Sequence, residues 1–299
     1  MREAWTSTLP PGALKALSAR SDAKGLRQLA GHAGLIALAA GLVLAARDTL
    51  WVWPAMALLG LFEVALFTPL HETTHRTPFL SLRLNRLVGW VAGFVLMLPP
   101  HGFRLFHMAH HRHTQDPAND PELIGARPLT RARYLWTLTG LPYWRSQVAG
   151  LVRTAWGDAA QPWIPPHESR AVIREARLYL LAYAVLLGAG VAFGSALPLL
   201  LWAGPVLLGQ PALRWILLAE HSGCPTTPDR FANTRTTLAG RALRRLFWNA
   251  NYHAEHHLAP GVPFHALPGL HALISGDLAV LDPSYPAAHA GIRRRLTAA

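Results

Sequence analysis

Residues 50–75 read LWVWPAMALLGLFEVALFTPLHETTH, and the architecture is decided by how this stretch is understood. Leu50 to Leu70 is an apolar run about long enough to cross a hydrocarbon core of roughly 30 Å. It ends directly in His71 and His75, which share one helical face at a spacing of i, i+4. Just upstream, Leu29 to Ala46 forms a second run rich in Ala, Leu and Gly, closed by Arg47 and Asp48. So short a connection predicts a membrane hairpin, which returns the histidine pair to the side of the N-terminus.

Downstream, residues 87–100 are apolar but short. Fourteen helical residues rise only about 21 Å, less than a crossing needs. A crossing here would also put the His71 pair and the next histidines on opposite sides of the bilayer. A re-entrant or interfacial segment is therefore expected, ended by Pro99-Pro100. The polar stretch from His101 to Arg177 holds many arginines, Arg104, Arg127 and Arg153 among them, with an interfacial amphipathic part at 131–153. Residues 179–197 and 199–218 predict a second hairpin with an uncharged outer turn. Four transmembrane segments then leave every histidine cluster on one side, where nearly all Lys and Arg also fall. The predicted organisation is an N-terminal cytoplasmic arm (1–28), an all-α integral membrane catalytic unit (29–275) with a cytoplasmic helical cap, and a cytoplasmic tail (276–299).

Bulk composition agrees. Of 299 residues 51 % are hydrophobic and only 15 % charged, against about 25 % charged in soluble domains. Mean hydropathy is +0.20. The net charge of +12 raises nucleic-acid binding, but the arginines flank apolar runs and form no stripe interleaved with aromatics, so nucleic acid is rejected as a partner. Cys224 is the only cysteine, which excludes disulfides and a cysteine-held iron–sulfur site within this chain.

The chemistry sits in the histidines. WNANYHAEHH at 248–257 aims His253, His256 and His257 at one place, at i, i+3 and i+4, and HMAHH at 107–111 does the same with His107, His110 and His111. With His71, His75 and the lone His221, nine histidines fall in four groups at or just beyond the ends of apolar runs. Imidazole suits iron, zinc, copper or nickel. Nine ligands are too many for one structural zinc, whereas two metals with four or five nitrogens each fit. A redox-active pair suits O2 activation and hydrogen abstraction from an unactivated C–H bond, with the membrane delivering an apolar substrate and excluding water. HETTH alone also matches the zinc-protease pattern, but protease chemistry leaves the other two clusters unused. Glu72, Glu220 and Glu255 are expected to accept from outer imidazole N–H groups and orient the ligands. Asp116 and Asp120 are candidates for the same work, or simply form a Pro-punctuated turn. His113 points off the face of its cluster and is expected beside the ligands, not among them. A lid is expected from the PGVPFHALPGLHALI segment.

HETTH, HMAHH and HAEHH resemble the three histidine boxes of the membrane fatty acid desaturase/hydroxylase superfamily, and the resemblance runs from about residue 30 to 275. It implies two non-haem irons held by the nine histidines, with His221 matching an extra ligand of acyl-CoA desaturase relatives. Those relatives carry a water-holding Asn one turn earlier, where this chain has Leu217; Asn249 is a candidate substitute. The implied reaction consumes O2, two electrons and two protons, and desaturates an acyl lipid, acyl-thioester or other apolar chain. Electrons would come from a separate donor of the ferredoxin, rubredoxin or cytochrome b5 kind. Hydroxylase or carotenoid-type ketolase chemistry is the alternative. A metal transporter is a reading of another class, which would spread its histidines through the bilayer instead of gathering them on one side. The expected location is a bacterial inner membrane, with the site facing the cytoplasm.

Overall fold

The computed structural model describes residues 4–7, 9–124 and 130–296; Arg127 and the chain's last three residues lie outside them. The fold is mostly helical. A short helix α1 (Ala13–Leu17) leads into α2 (Asp22–Ala46), then α3 (Val52–Val64) and α4 (Phe67–His75). Helices α5 (Leu82–Val95) and α6 (Pro100–His113) follow, then α7 (Arg131–Leu138), α8 (Leu141–Ala155) and α9 (Ser169–Ala192). A π-helical turn at Leu199–Ala203 opens α10 (Gly204–His221). The remainder is α11 (Arg241–Leu246), α12 (His253–Leu258), α13 (Leu267–Ile274) and α14 (Tyr285–Arg294). Two two-residue strands, β1 (Thr236–Thr237) and β2 (Leu281–Asp282), pair in parallel, with Thr236 opposite Leu281.

Among the described residues, three helices are long and apolar enough to cross a membrane: Asp22–Ala46, Val52–His75 (α3 running on into α4) and Ser169–Ala192. Leu82–Val95 and Pro100–His113 together would make a fourth, but they meet at a bend of 97°. That bend falls at the Pro99-Pro100 end of the segment expected to be re-entrant or interfacial. Leu35, Leu38, Leu42, Leu181 and Val185 are exposed on α2 and α9, which suits a hydrocarbon surround.

Two expected boundaries shift. The 179–197 segment starts at Ser169, because Arg170, Arg174 and Arg177 fail a hydropathy test yet are strong helix formers. For the same reason the 87–100 segment starts at Leu82, with Ser81 accepting from the Leu84 N–H as its cap. The 199–218 segment is not among the three long apolar spans: α10 carries Pro211, Arg214 and Glu220. Nor do the two helices of the expected second hairpin make each other their chief partner; α9 packs mainly on α8, and α10 on α3.

At the α3–α10 crossing the two backbones come into contact. A Cβ on Gly60 would overlap the Pro205 carbonyl, and one on Gly209 would overlap Gly60, so glycine on both sides lets the backbones touch. The bend after α5 is held equally firmly. A helix C-terminus leaves carbonyls without intrahelical partners, and here side chains supply the donors. Tyr183 Oη donates to Phe94 O at 2.8 Å, Trp202 Nε1 to Val95 O at 2.9 Å, and Gln147 Nε2 to Met97 O at 2.7 Å. On the far side of the bend, the Glu175 carboxylate accepts from the first N–H groups of α6 at His101, 3.0 Å, and Gly102, 3.4 Å. An acid at a helix N-terminus is favourable there. The bend is thus fixed from α8, α9 and the π-helical turn, and it fixes the direction of α6.

Part of the segment expected as a tail, Tyr285–Arg294, is helical and packed. In α14, His289 stacks on Trp215 of α10 with centroids 3.6 Å apart and accepts from the Tyr134 hydroxyl at 2.6 Å.

Candidate metal centre

Four elements deliver the nine histidines. His71 and His75 end α4, His107, His110 and His111 end α6, His221 ends α10, and His253, His256 and His257 sit on α12. Each occupies the polar end of its helix, so the four ends meet. The ring nitrogens of His71, His75, His107, His111 and His256 lie within 4.8 Å of one another, and so do those of His110, His221 and His257. His253 joins the second group, with Nε2 3.0 Å from His221 Nε2 and 3.1 Å from His257 Nε2. The nine therefore divide five and four.

The outer nitrogens reveal what the inner ones must be. Asp120 accepts from His110 Nδ1 at 2.9 Å, and the Asn233 carbonyl lies 3.4 Å from His221 Nδ1. The Thr114 hydroxyl gives its one hydrogen to the His110 carbonyl, so it accepts from His257 Nδ1 at 3.2 Å. A neutral imidazole carries one N–H, so in their neutral form all three rings present Nε2 inward as the donor atom. His110 Nε2 and His221 Nε2 are 3.2 Å apart. That is also the spacing of two donors to one ion. In the first group, successive contacts of 2.8 Å (His75–His107), 2.9 Å (His107–His111) and 3.1 Å (His111–His256) repeat the spacing. His71 Nε2 is buried without a hydrogen-bond partner. Burial, reinforced by the neighbouring imidazoles, holds His253, His256 and His257 well below the usual histidine range, so they are neutral donors. Donor type, protonation and spacing all fit two metal ions.

The residues expected to orient the ligands separate. Asp120 does so directly, and it also accepts from the backbone N–H of Gln115 and Glu122. Burial alone would raise its pKa, but those bonds and the His110 contact outweigh it and leave the carboxyl below its usual value. Asp116 instead closes its own turn, accepting from Ala118 N and Asn119 Nδ2. Glu72 accepts from Thr77 Oγ1 at 2.8 Å and Phe264 N at 3.0 Å, tying α4 to the later segment. Glu255 takes His271 Nδ1 at 2.5 Å and the Thr236 hydroxyl. Neither touches a cluster imidazole; both tie the 260–274 segment or the strand to the ligand helices. Asn249, in left-handed backbone at φ 59, donates to Phe264 O and accepts from Arg244, away from the histidines. His113 is half-buried at the end of α6. Glu220 approaches His253 at its inner nitrogen, 3.6 Å away, not at an outer N–H.

Thr114, Asn233, Gln115 and His271 complete the surroundings; of these only His271 is suggested by its place in the sequence, as a non-ligand near the pocket. Gln115, in left-handed backbone at φ 64, donates to the His221 carbonyl at 3.0 Å.

A cavity of about 510 Å³ opens onto the cluster. His71, His107, His110, His221 and His253 form one wall; Phe67, Leu98, Phe103, Phe106, Leu213 and Leu217 form much of the rest. Its volume is that of a small-molecule site.

The comparisons agree with this geometry. The family model described as fatty acid desaturase matches residues 48–288. A dihydrorhizobitoxine desaturase of Bradyrhizobium elkanii is 26 % identical over 231 residues, covering 72 % of this chain and 65 % of that protein. An sn-1 oleoyl-lipid 12-desaturase of a Synechocystis strain is 35 % identical over 101 residues, 31 % of this chain and 27 % of its own. A chloroplastic omega-3 fatty acid desaturase of Glycine max is 25 % identical over 239 residues, 72 % and 52 % respectively. The chain spans less than two thirds of the length of these relatives. With the histidine geometry and a match over most of its length, the chain belongs to the fatty acid desaturase family.

Proposed function

We propose that this protein is an O2-dependent desaturase of a membrane-delivered apolar chain, acting through an iron pair held by His71, His75, His107, His111 and His256 on one side and His110, His221, His253 and His257 on the other. The observation that carries the reading is the gathering of nine histidines into two neighbouring groups, five of whose rings form a wall of one largely apolar cavity. When bound, the irons would supply O2 activation and the oxidising power to take hydrogen from an unactivated C–H bond. The protein's own part is binding and orientation. Phe67, Phe103 and Leu213 hold the chain against the histidine wall and exclude water. Asp120, Asn233 and Thr114 keep three imidazoles in the tautomer that binds metal.

In the balanced reaction, R–CH2–CH2–R′, O2, two electrons and two protons give R–CH=CH–R′ and two waters. The electrons come from a separate donor such as a ferredoxin, because with Cys224 alone this chain cannot bind an iron–sulfur cluster through cysteines. The location that suits this work is a bacterial inner membrane, with the basic, histidine-bearing side toward the cytoplasm.

The test is metal analysis and Mössbauer spectroscopy on detergent-purified protein from iron-57-fed cells, followed by lipid analysis of expressing membranes. Two coupled irons per chain, lost in His256→Ala, with an O2-dependent product two hydrogens lighter, is the expected result. One zinc per chain, or a product that gains oxygen, overturns it.

A further inference from the structure

Glu220 immediately precedes His221, and its side chain approaches one of the cluster nitrogens. Glu220 Oε2 lies 3.6 Å from His253 Nε2, the atom that also faces His221 and His257 at 3.0 and 3.1 Å. Donor atoms each bound at about 2.0–2.2 Å to one ion lie about 3–4 Å apart, so this oxygen and His253 Nε2 stand at the separation of two donors to one ion. The carboxylate lines the cavity and is only 14 % exposed. Among the described residues no N–H or O–H is seen donating to it, unlike Glu72, Glu255 and Asp120, whose oxygens are engaged. One turn before His221, Leu217 offers the cavity only an apolar surface.

We infer that the Glu220 carboxylate is the fifth protein ligand of the four-histidine metal, which makes the two halves of the centre chemically unequal. The inference rests on the metal reading above. Its chemistry is direct: a carboxylate oxygen is a harder donor than imidazole and suits iron. Four neutral imidazoles leave the charge of a buried divalent ion uncompensated, whereas one carboxylate offsets half of it. Glu122, whose Oε1 is 3.9 Å from His110 Nε2, is a second acid on this side, but at 39 % exposure it is much more open to water. Glu220 is better placed because it is shielded and held by the same helix end as His221.

The experiment compares iron-57 Mössbauer spectra of the wild-type protein, Glu220→Gln and Glu220→Ala. The expected result is two inequivalent irons in the wild type and a change in only one of them in both variants. That iron is released to a chelator about ten-fold faster or more, and added formate restores its spectrum in Glu220→Ala. Spectra and release rates unchanged in the variants overturn the inference while leaving the iron pair intact; a wild type without two irons overturns the metal reading itself. A measurement on unaltered protein covers the case in which neither variant folds. Carbodiimide coupling read by peptide mass spectrometry should modify Glu220 readily in chelator-stripped protein and about ten-fold less in iron-loaded protein. Equal modification in both states overturns the assignment.

Discussion

Asp120 accepts a hydrogen bond from His110 Nδ1 at 2.9 Å, deep in the protein, and this one contact decides which nitrogen of His110 faces the cluster. Removing the acceptor frees the ring to rotate or change tautomer. Asp120→Ala is expected to weaken metal retention about 10–100-fold in chelator competition, and Asp120→Asn, which keeps an acceptor oxygen, to do less harm. Wild-type retention in Asp120→Ala would show that the contact does not orient the ligand.

The Gly60–Gly209 crossing predicts an asymmetry between glycines. Gly209→Ala forces a methyl into the Gly60 backbone and should cost about 1–3 kcal/mol, as overpacking does. Gly31→Ala in α2 meets nothing within 4 Å and should be neutral or stabilising by up to about 1 kcal/mol. Thermal unfolding in detergent measures both; equal effects would contradict the close approach.

The bend after α5 depends on donors from other helices. Tyr183→Phe and Trp202→Phe each leave a carbonyl at the helix end without its side-chain partner. Each should destabilise by about 1–3 kcal/mol. Because the bend aims α6, both should also loosen metal retention, as read in the same chelator competition. A double variant as stable as wild type would mean that the bend is held by other contacts.

His265 adds an acid sensitivity. Burial, with Lys24 nearby, pulls its pKa down from 6.5 to about 4. Between those values the unfolded chain takes up a proton that the fold refuses, so this contribution to stability is complete above pH 6.5 and is lost as pH falls toward 4. The ring is only half-buried, and screening limits the loss to about 1–2 kcal/mol. His265→Gln should flatten the fall in melting temperature from neutral to acid pH; a slope identical to wild type would refute the assignment.

Much of the site was legible because its signals are local. His107, His110 and His111 share a helical face by spacing alone, as do His253, His256 and His257, and each cluster follows an apolar segment. Helix ends were less legible. Hydropathy marks where a chain prefers lipid, whereas helix formation continues through arginines, and so α5 and α9 begin earlier than their apolar cores. The partners of Glu72 and Glu255 were not legible at all: Phe264 is 192 positions from Glu72, and nothing in a local pattern encodes such a pairing.

By itself the sequence determined a helical, membrane-suited chain with nine convergent histidines, because amphipathic period, run length and ligand spacing are properties of neighbouring residues. Only the tertiary structure decided that the nine divide five and four, that Asp120 and not Glu72 holds an imidazole, and that Glu220 faces an inner nitrogen. Those outcomes depend on how four helix ends meet. That meeting is set by the backbone contact of Gly60 with Gly209 and by the 97° bend between α5 and α6, contacts between residues far apart in the chain that no local periodicity can specify.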